Sequence, residues 1–344
     1  MSPAMSPAMS PALAPASGSS SSLDLLCIGN AIVDVVAPVA EDFLAGHGMT
    51  KGVMQLIDAA AAETLYAAMP PGIESSGGSA ANTAAVAAGL GARVGFLGKV
   101  AADQLGAVFR HDIVAAGVRY PTPPLTAGAP TARCLILVTP DGQRTMNTFL
   151  GASVTFSESD LDHDLIKAAK TLYLEGFLFD PAPAQAAFRA AASLAREAGN
   201  RVALSLSDPF CVARHRDAFR ALLPTIDILF ANEAEITSLF ETGDFDRAAA
   251  AARKAVPLAV LTRSERGSLI VQGAEQAMVP AAPAEVVDTT GAGDAYAAGF
   301  LTGHGQGRGL AASGWLGSRA AAAVIGHYGA RPRLDLAGLA QASH

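Results

Sequence analysis

Short apolar runs separated by Ala-rich stretches limit this chain's architecture more than any single residue does. Leu25-Leu26-Cys27-Ile28 stops at Gly29-Asn30, and comparable runs recur at Val94 to Leu97, Thr171 to Leu174, Val202 to Leu206, Ile226 to Phe230 and Ala259 to Leu261. Runs this brief, bounded by turn residues, behave as strands buried on both faces. The stretches between them, such as Asn82 to Leu90, Pro183 to Ala198, Arg214 to Leu223 and Asp246 to Ala255, are long enough for helices. Strand alternating with helix gives βαβ units and a mostly parallel sheet. Ligands of such sheets sit at the carboxyl ends of the strands.

Two stretches break the rhythm. Residues 36–58 and 119–151 read as strands without intervening helices, and Ala132 to Val138, the turn Thr139-Pro140-Asp141-Gly142 and Gln143 to Phe149 read as a hairpin. The expected organisation is a large α/β domain from 23–35, 59–118 and 152–344, with 36–58 and 119–151 forming a discontinuous β lid. Residues 1–22 stand apart as a low-complexity tail that opens on three tandem copies of Met-Ser-Pro-Ala, and disorder is the expectation there. The tail is unlike a secretory signal, because no Lys or Arg precedes Lys51 and no continuous apolar stretch precedes Leu23.

Charge narrows the function. The sequence has 24 Lys+Arg against 31 Asp+Glu, a formal net charge of −7, which argues against a nucleic-acid partner and requires any phosphate site to be built locally. A hydrophobic content of 51% and a mean hydropathy of +0.32 raise the question of a membrane. Every apolar stretch is nevertheless interrupted before the roughly 18 residues that a span requires, so a soluble protein is expected. Cys27, Cys134 and Cys211 are odd in number and lack zinc-site spacing, and the seven histidines show no metal-ligand pattern. A reducing cytoplasm fits this cysteine usage.

Three stretches carry chemistry. Asp288-Thr289-Thr290-Gly291-Ala292-Gly293-Asp294 runs into an apparently helical Ala295 to Leu301. Small residues at a helix start let backbone amides crowd around an anion. A carboxylate in that place suits a general base acting on a hydroxyl that attacks a bound phosphoryl group, although an ordinary helix N-terminus reads the same way in isolation. Gly77-Gly78-Ser79-Ala80-Ala81-Asn82 offers close main-chain approach, an N-cap serine and a side-chain amide one turn in; a tight strand-to-helix turn is the plain alternative. Asn232-Glu233-Ala234-Glu235 puts Asn232 and Glu235 on one helix face, either as a capping box or as a pair that holds the water shell of Mg²⁺. Neither a Walker motif nor a dinucleotide fingerprint is present, and Gly303 to Gly309 reads as a flexible loop.

Together these residues resemble the ribokinase-like, PfkB-type carbohydrate and nucleoside kinases from about Leu23 to Pro332, through Gly77 to Ala84, Asp288 to Leu301 and Gly91 to Val100 with Asp103 and Gly106. The resemblance implies a three-layer sandwich with a central, mostly parallel sheet and a small β lid. It also implies transfer of the γ-phosphoryl group of ATP, with Mg²⁺, to a primary hydroxyl. Asp294 would be the base, Gly291, Ala292 and Gly293 the anion hole, and Asn232 with Glu235 the magnesium-linked pair. ATP would lie near Asn232, Thr262, Gly267, Gly291 and Gly293, and a K⁺ would sit by Asp288 and Thr290.

Within the family the likeness is greatest to adenosine kinases, through Gly29-Asn30-Ala31-Ile32-Val33-Asp34 and Leu204-Ser205-Leu206-Ser207-Asp208-Pro209-Phe210. That points to adenosine converted to AMP, a purine-salvage step, with the acceptor held by Asn30, Asp34, Gly77, Gly78 and Asn82. Phe177 is the expected base-stacking aromatic, with Phe179 beside it as the other possibility, and Asp208 departs from the small residue usual there. A sugar acceptor such as ribose or fructose, and a non-catalytic nucleoside sensor, are the alternatives. A monomer and a homodimer both remain open.

Overall fold

The computed structural model describes residues 22–331 and 336–341; the expected tail, up to residue 21, lies outside them. Its strands are β1 (Leu25–Ile28), β2 (Ile32–Pro38), β3 (Met54–Leu56), β4 (Ile73–Gly77), β5 (Val94–Leu97), β6 (Ala132–Val138), β7 (Arg144–Phe149), β8 (Thr171–Glu175), β9 (Arg201–Ser205), β10 (Ile228–Asn232), β11 (Leu258–Thr262), β12 (Ser268–Gln272) and β13 (Glu275–Val279). They form an eight-stranded sheet in the order β13-β12-β11-β10-β9-β8-β1-β5 and a five-stranded sheet in the order β3-β7-β6-β2-β4. From β5 to β11 every pairing in the large sheet is parallel, and β12 and β13 add an antiparallel edge.

Burial on both faces explains the apolar runs. Along β1, Leu25 and Cys27 enter one hydrophobic core while Leu26 and Ile28 enter the other. The same alternation holds in β10, where Ile228 and Phe230 face one way and Leu229 and Ala231 the other. Helices therefore cover both sides, giving the three-layer α/β sandwich. The helix Ala182–Glu197 shows how the Ala-rich text achieves this. Pro183 stands at its start, where no N–H is needed, and Ala184, Ala187, Phe188, Ala191, Ala192 and Ala195 form its buried stripe.

The second sheet departs from the expected boundaries. β2 already belongs to it, so Asp34 is on a lid strand rather than in the large domain, and β4 joins it from within 59–118. A short helix, Glu41–Gly46, interrupts the stretch expected to be strand only. Residues 119–125 are not lid: Arg119 and Leu125 bridge to Gly95 and Ala101 along the edge of the large sheet. The hairpin of β6 and β7 is antiparallel as its turn chemistry requires. Gly303 and Gly305 are not loop but the last turns of the helix Ala292–Gly305, which packs against Leu310–Ile325. No helix among the described residues is long and apolar enough to cross a membrane.

Candidate active site

A cleft of about 730 Å³ lies between the carboxyl edge of the large sheet and the lid. Asn30, Glu175, Ser205, Asn232 and Thr262, each at or just beyond the end of a parallel strand, line one side. Ile32, Met54, Leu56, Ile136 and Met146 of the small sheet make an apolar cover opposite. Strand order reverses beside β1, which is flanked by β5 and β8, so this edge is the topological switch point at which open α/β sheets bind ligands.

At one end of the cleft the helix Ala292–Gly305 begins. Gly291 caps it at φ 74°, and a Cβ there would lie 2.8 Å from Ala330, so conformation and space both require glycine. A Cβ at Gly293 would meet no protein atom within 4 Å; the bare backbone there faces the cleft. The first N–H groups of a helix lack intrahelical acceptors, and with the helix dipole they form a site for negative charge.

Asp294 stands in this first turn, half-buried. Its Oδ1 accepts from Ser79 Oγ at 2.6 Å and its Oδ2 from Asn82 Nδ2 at 3.1 Å. Burial pushes its carboxyl up to about 6, partly opposed by those two donors and by Arg331. Ser79 is not the N-cap that the sequence suggested. Gly78 caps the helix Ser79–Gly89 at φ 98°, because a side chain there would strike the carbonyl of Asn30 at 2.2 Å, and this frees Ser79 to reach Asp294.

Asp34 faces the cleft from β2, and burial pushes its carboxyl up to about 6 against the pull of Arg331 and Arg144. Gly77 lies against it: a Cβ would come within 2.3 Å of Asp34 Oδ2. Asn82, 4% exposed, accepts from Arg331 Nε at 3.2 Å while donating to Asp294, so its amide orientation is fixed. Phe177, 38% exposed, lines the cleft, whereas Phe179 is buried and stacks on Phe219 with centroids 4.4 Å apart. Of the two, only Phe177 has a ring face open to the cleft. Phe210, 73% exposed, lines the same cleft, and Asp208 places it by capping the helix Pro209–Leu222 through Phe210 N–H and Cys211 N–H.

The family model for pfkB family carbohydrate kinases matches residues 59–336. The chain belongs to that family. It is 30% identical to the adenosine kinase of Saccharomyces cerevisiae, over 89% of this chain and 95% of the relative. The crystal structure of adenosine kinase from Sinorhizobium meliloti is 50% identical and covers 93% of this chain and 99% of its own, with a TM-score of 0.87. A probable sugar kinase protein from Rhizobium etli CFN 42 is 46% identical over 93% and 98%, also at 0.87. As a PfkB kinase the protein transfers a phosphoryl group from ATP to a hydroxyl of a nucleoside or sugar, with the Mg²⁺ that ATP chemistry in this family uses.

The remaining expected residues of this PfkB kinase divide by place. Asn232 and Glu235 line the cleft but also form a reciprocal capping box: Asn232 Oδ1 accepts from Glu235 N–H at 2.9 Å, and Glu235 accepts from Asn232 N–H and Nδ2 at 2.9 and 2.6 Å. Burial raises Glu235 to about 7. With both Glu235 oxygens engaged by Asn232, any hold on a hydrated magnesium ion would pass through its waters. Thr262 lines the cleft; Gly267 does not, being buried in the turn before β12, where a Cβ would collide with Val279 O at 2.0 Å. Asp288 Oδ1 takes Arg144 Nη2 at 2.5 Å and Thr290 N–H at 2.8 Å, and Oδ2 takes Gly329 N–H at 2.9 Å. Asp288 is thus already matched by a guanidinium and two main-chain amides. Glu175, Arg144 and Arg331 carry no local signal in the sequence, whereas Phe210 ends the stretch Leu204 to Phe210 that resembles adenosine kinases, without a role of its own there.

Proposed function

We propose that the protein phosphorylates adenosine at its 5′-hydroxyl, with Asp294 as the general base. The observation that carries this is the position of Asp294. It is held by Ser79 and Asn82 beside the open first turn of Ala292–Gly305, at one end of a cleft whose other residues include Asp34 and the aromatics Phe177 and Phe210. The acceptor's ribose would lie against Asp34, Asn30, Gly78 and Asn82, and its base between Phe177 and Phe210. The 50% identity to the Sinorhizobium adenosine kinase supports that choice of acceptor.

Asp294 takes the hydroxyl proton as the oxygen bonds to the γ-phosphorus of ATP, and the bond from that phosphorus to the β–γ bridging oxygen breaks to release ADP. A carboxyl near 6 is ionised at neutral pH yet basic enough to accept a proton in the transition state. The amides of the turn 291–294 hold the charge that develops on the phosphoryl oxygens. Magnesium bound with ATP supplies further neutralisation of phosphate charge, and Glu235 with Asn232 would hold it through water. The apolar underside of the lid, with Met54 and Leu56 half-exposed in the open cleft, excludes water on closure and so limits ATP hydrolysis.

The Rhizobium etli likeness favours a second acceptor class, a sugar. A panel of adenosine, other nucleosides, ribose and fructose, read as acceptor-dependent ADP formation, separates the two. Adenosine should give the highest kcat/KM, and a faster free sugar would refute the proposal.

A further inference from the structure

Glu175 closes the carboxyl end of β8 with a side chain that is 1% exposed and fully engaged. Its Oε1 accepts from the Asn30 main-chain N–H at 3.2 Å and from Asn30 Nδ2 at 2.8 Å, and its Oε2 accepts from Ala80 N–H at 2.6 Å. Ala80 is in the first turn of Ser79–Gly89, so the carboxylate also meets the positive end of that helix. The glycine before Asn30 follows from the same group: a Cβ at Gly29 would lie 2.2 Å from Glu175 Oε2.

Asn30 is 2% exposed and lines the cleft, yet its Oδ1 is buried with no partner among the described residues. A primary amide can present either its oxygen or its nitrogen, since the two ends have nearly the same shape. Glu175 is raised to about 7 by burial, so above that pH it is ionised; it then accepts and does not donate, and at pH 8 it admits only the orientation with Nδ2 turned inward.

We propose that Glu175 is a positioning residue that locks the Asn30 amide so that an acceptor oxygen, and not a donor, faces the cleft, which selects substrates presenting a hydroxyl or N–H at that point. The proposal rests on the reading that the cleft binds a hydroxylated acceptor beside Asn30. Glutamine at 175 would offer an amide NH₂ that a flipped Asn30 can accept from, and the flip would turn a donor toward the substrate's own donor.

The test compares wild type, Glu175→Gln, Asn30→Ala and the double variant, using the acceptor that wild type phosphorylates fastest. Failure of the adenosine reading is thereby seen in wild type alone and leaves the comparison intact. Glu175→Gln should raise the acceptor KM about tenfold, as for a buried donor left without an acceptor, while the KM for ATP stays within about twofold. Because the effect passes through Asn30, the double variant should be no worse than Asn30→Ala, whereas a general structural role would add to it. An unchanged acceptor KM in Glu175→Gln, or additive losses, overturns the proposal. If Glu175→Gln does not fold by circular dichroism, Glu175→Asp, which withdraws the carboxylate by one methylene, is read by the same KM comparison and the same non-additivity.

Discussion

Ser79 and Asp294, 215 residues apart in sequence, share a hydrogen bond of 2.6 Å, and through it the glycine-rich start of one helix is tied to the first turn of another. The bond fixes one carboxylate oxygen while the cleft remains open to the side chain. Asp294→Asn keeps the shape and can still bond Ser79, so the fold should persist. Loss of a general base costs about 10²- to 10⁴-fold, and kcat should fall by that order with little change in the KM for ATP. Steady-state kinetics with a thermal melt as the folding control checks this; near-wild-type turnover would remove Asp294 from the role of base.

Activity and stability should respond to pH in opposite directions. Asp294 must be ionised to act, so kcat/KM should rise through an apparent pKa near 6 and lose its acidic limb in Asp294→Asn. Asp34 and Asp294 are raised to about 6 and Glu175 and Glu235 to about 7, mainly by burial. Between about pH 4 and 7 the folded protein then binds more protons than the unfolded chain, and stability falls as pH rises through that window. Calorimetry of the ligand-free protein should give a higher Tm at pH 5 than at pH 8, and Asp294→Asn should flatten the slope. A Tm that climbs from pH 5 to 8 would contradict these raised carboxyls.

The elements that were legible in the sequence are those whose signal is local. A run such as Leu25 to Ile28 must be buried on both faces, and Gly291-Ala292-Gly293 announces the start of the helix that follows it. The Asn232 and Glu235 pair was legible in both of its readings, and the capping box is the one its hydrogen bonds display. Residues whose role comes from distant contact were not legible. Arg144 is an unremarkable polar residue on β7 until the lid brings it to Asp288, and Arg331 reads as a surface charge until its guanidinium packs on Asn82 and Ser76. The lid boundary was misread for a related reason. β2 follows β1 after a few residues and continues its apolar pattern, so only its pairing with β6 and β4 reveals the change of sheet.

Substitution of Asp34 tests acceptor binding apart from ATP binding. It lies on a lid strand against Gly77, remote from the anion-binding turn in sequence but within the same cleft. A carboxylate that takes hydrogen bonds from sugar hydroxyls contributes about 1.5–3 kcal/mol, so Asp34→Ala should raise the acceptor KM roughly 10- to 100-fold. The KM for ATP should be nearly unchanged. Removing a carboxyl that burial holds near 6 relieves a desolvation cost, so the variant should melt no lower than wild type at pH 8. Equal rises in both KM values would argue against Asp34 as an acceptor ligand.

Substitution of three phenylalanines tests a nucleoside acceptor against a sugar. Phe177 and Phe210 face the cleft at 38% and 73% exposure, whereas Phe179 is 1% exposed and stacked on Phe219. Stacking of a base on an aromatic ring contributes about 1–3 kcal/mol. Phe177→Ala and Phe210→Ala should therefore each raise the KM for adenosine by about fivefold to a hundredfold, while leaving any residual turnover of ribose unaffected, because a sugar has no base to stack. Phe210→Ala should scarcely change the Tm, since the ring buries little surface without ligand. Phe179→Ala should do the reverse, destabilising the fold by about 3–5 kcal/mol, as is usual for a buried phenylalanine, lowering apparent kcat with the folded fraction while the adenosine KM stays near wild type. If Phe177→Ala and Phe210→Ala impair ribose and adenosine equally, the rings are walls of the cleft and not a base clamp.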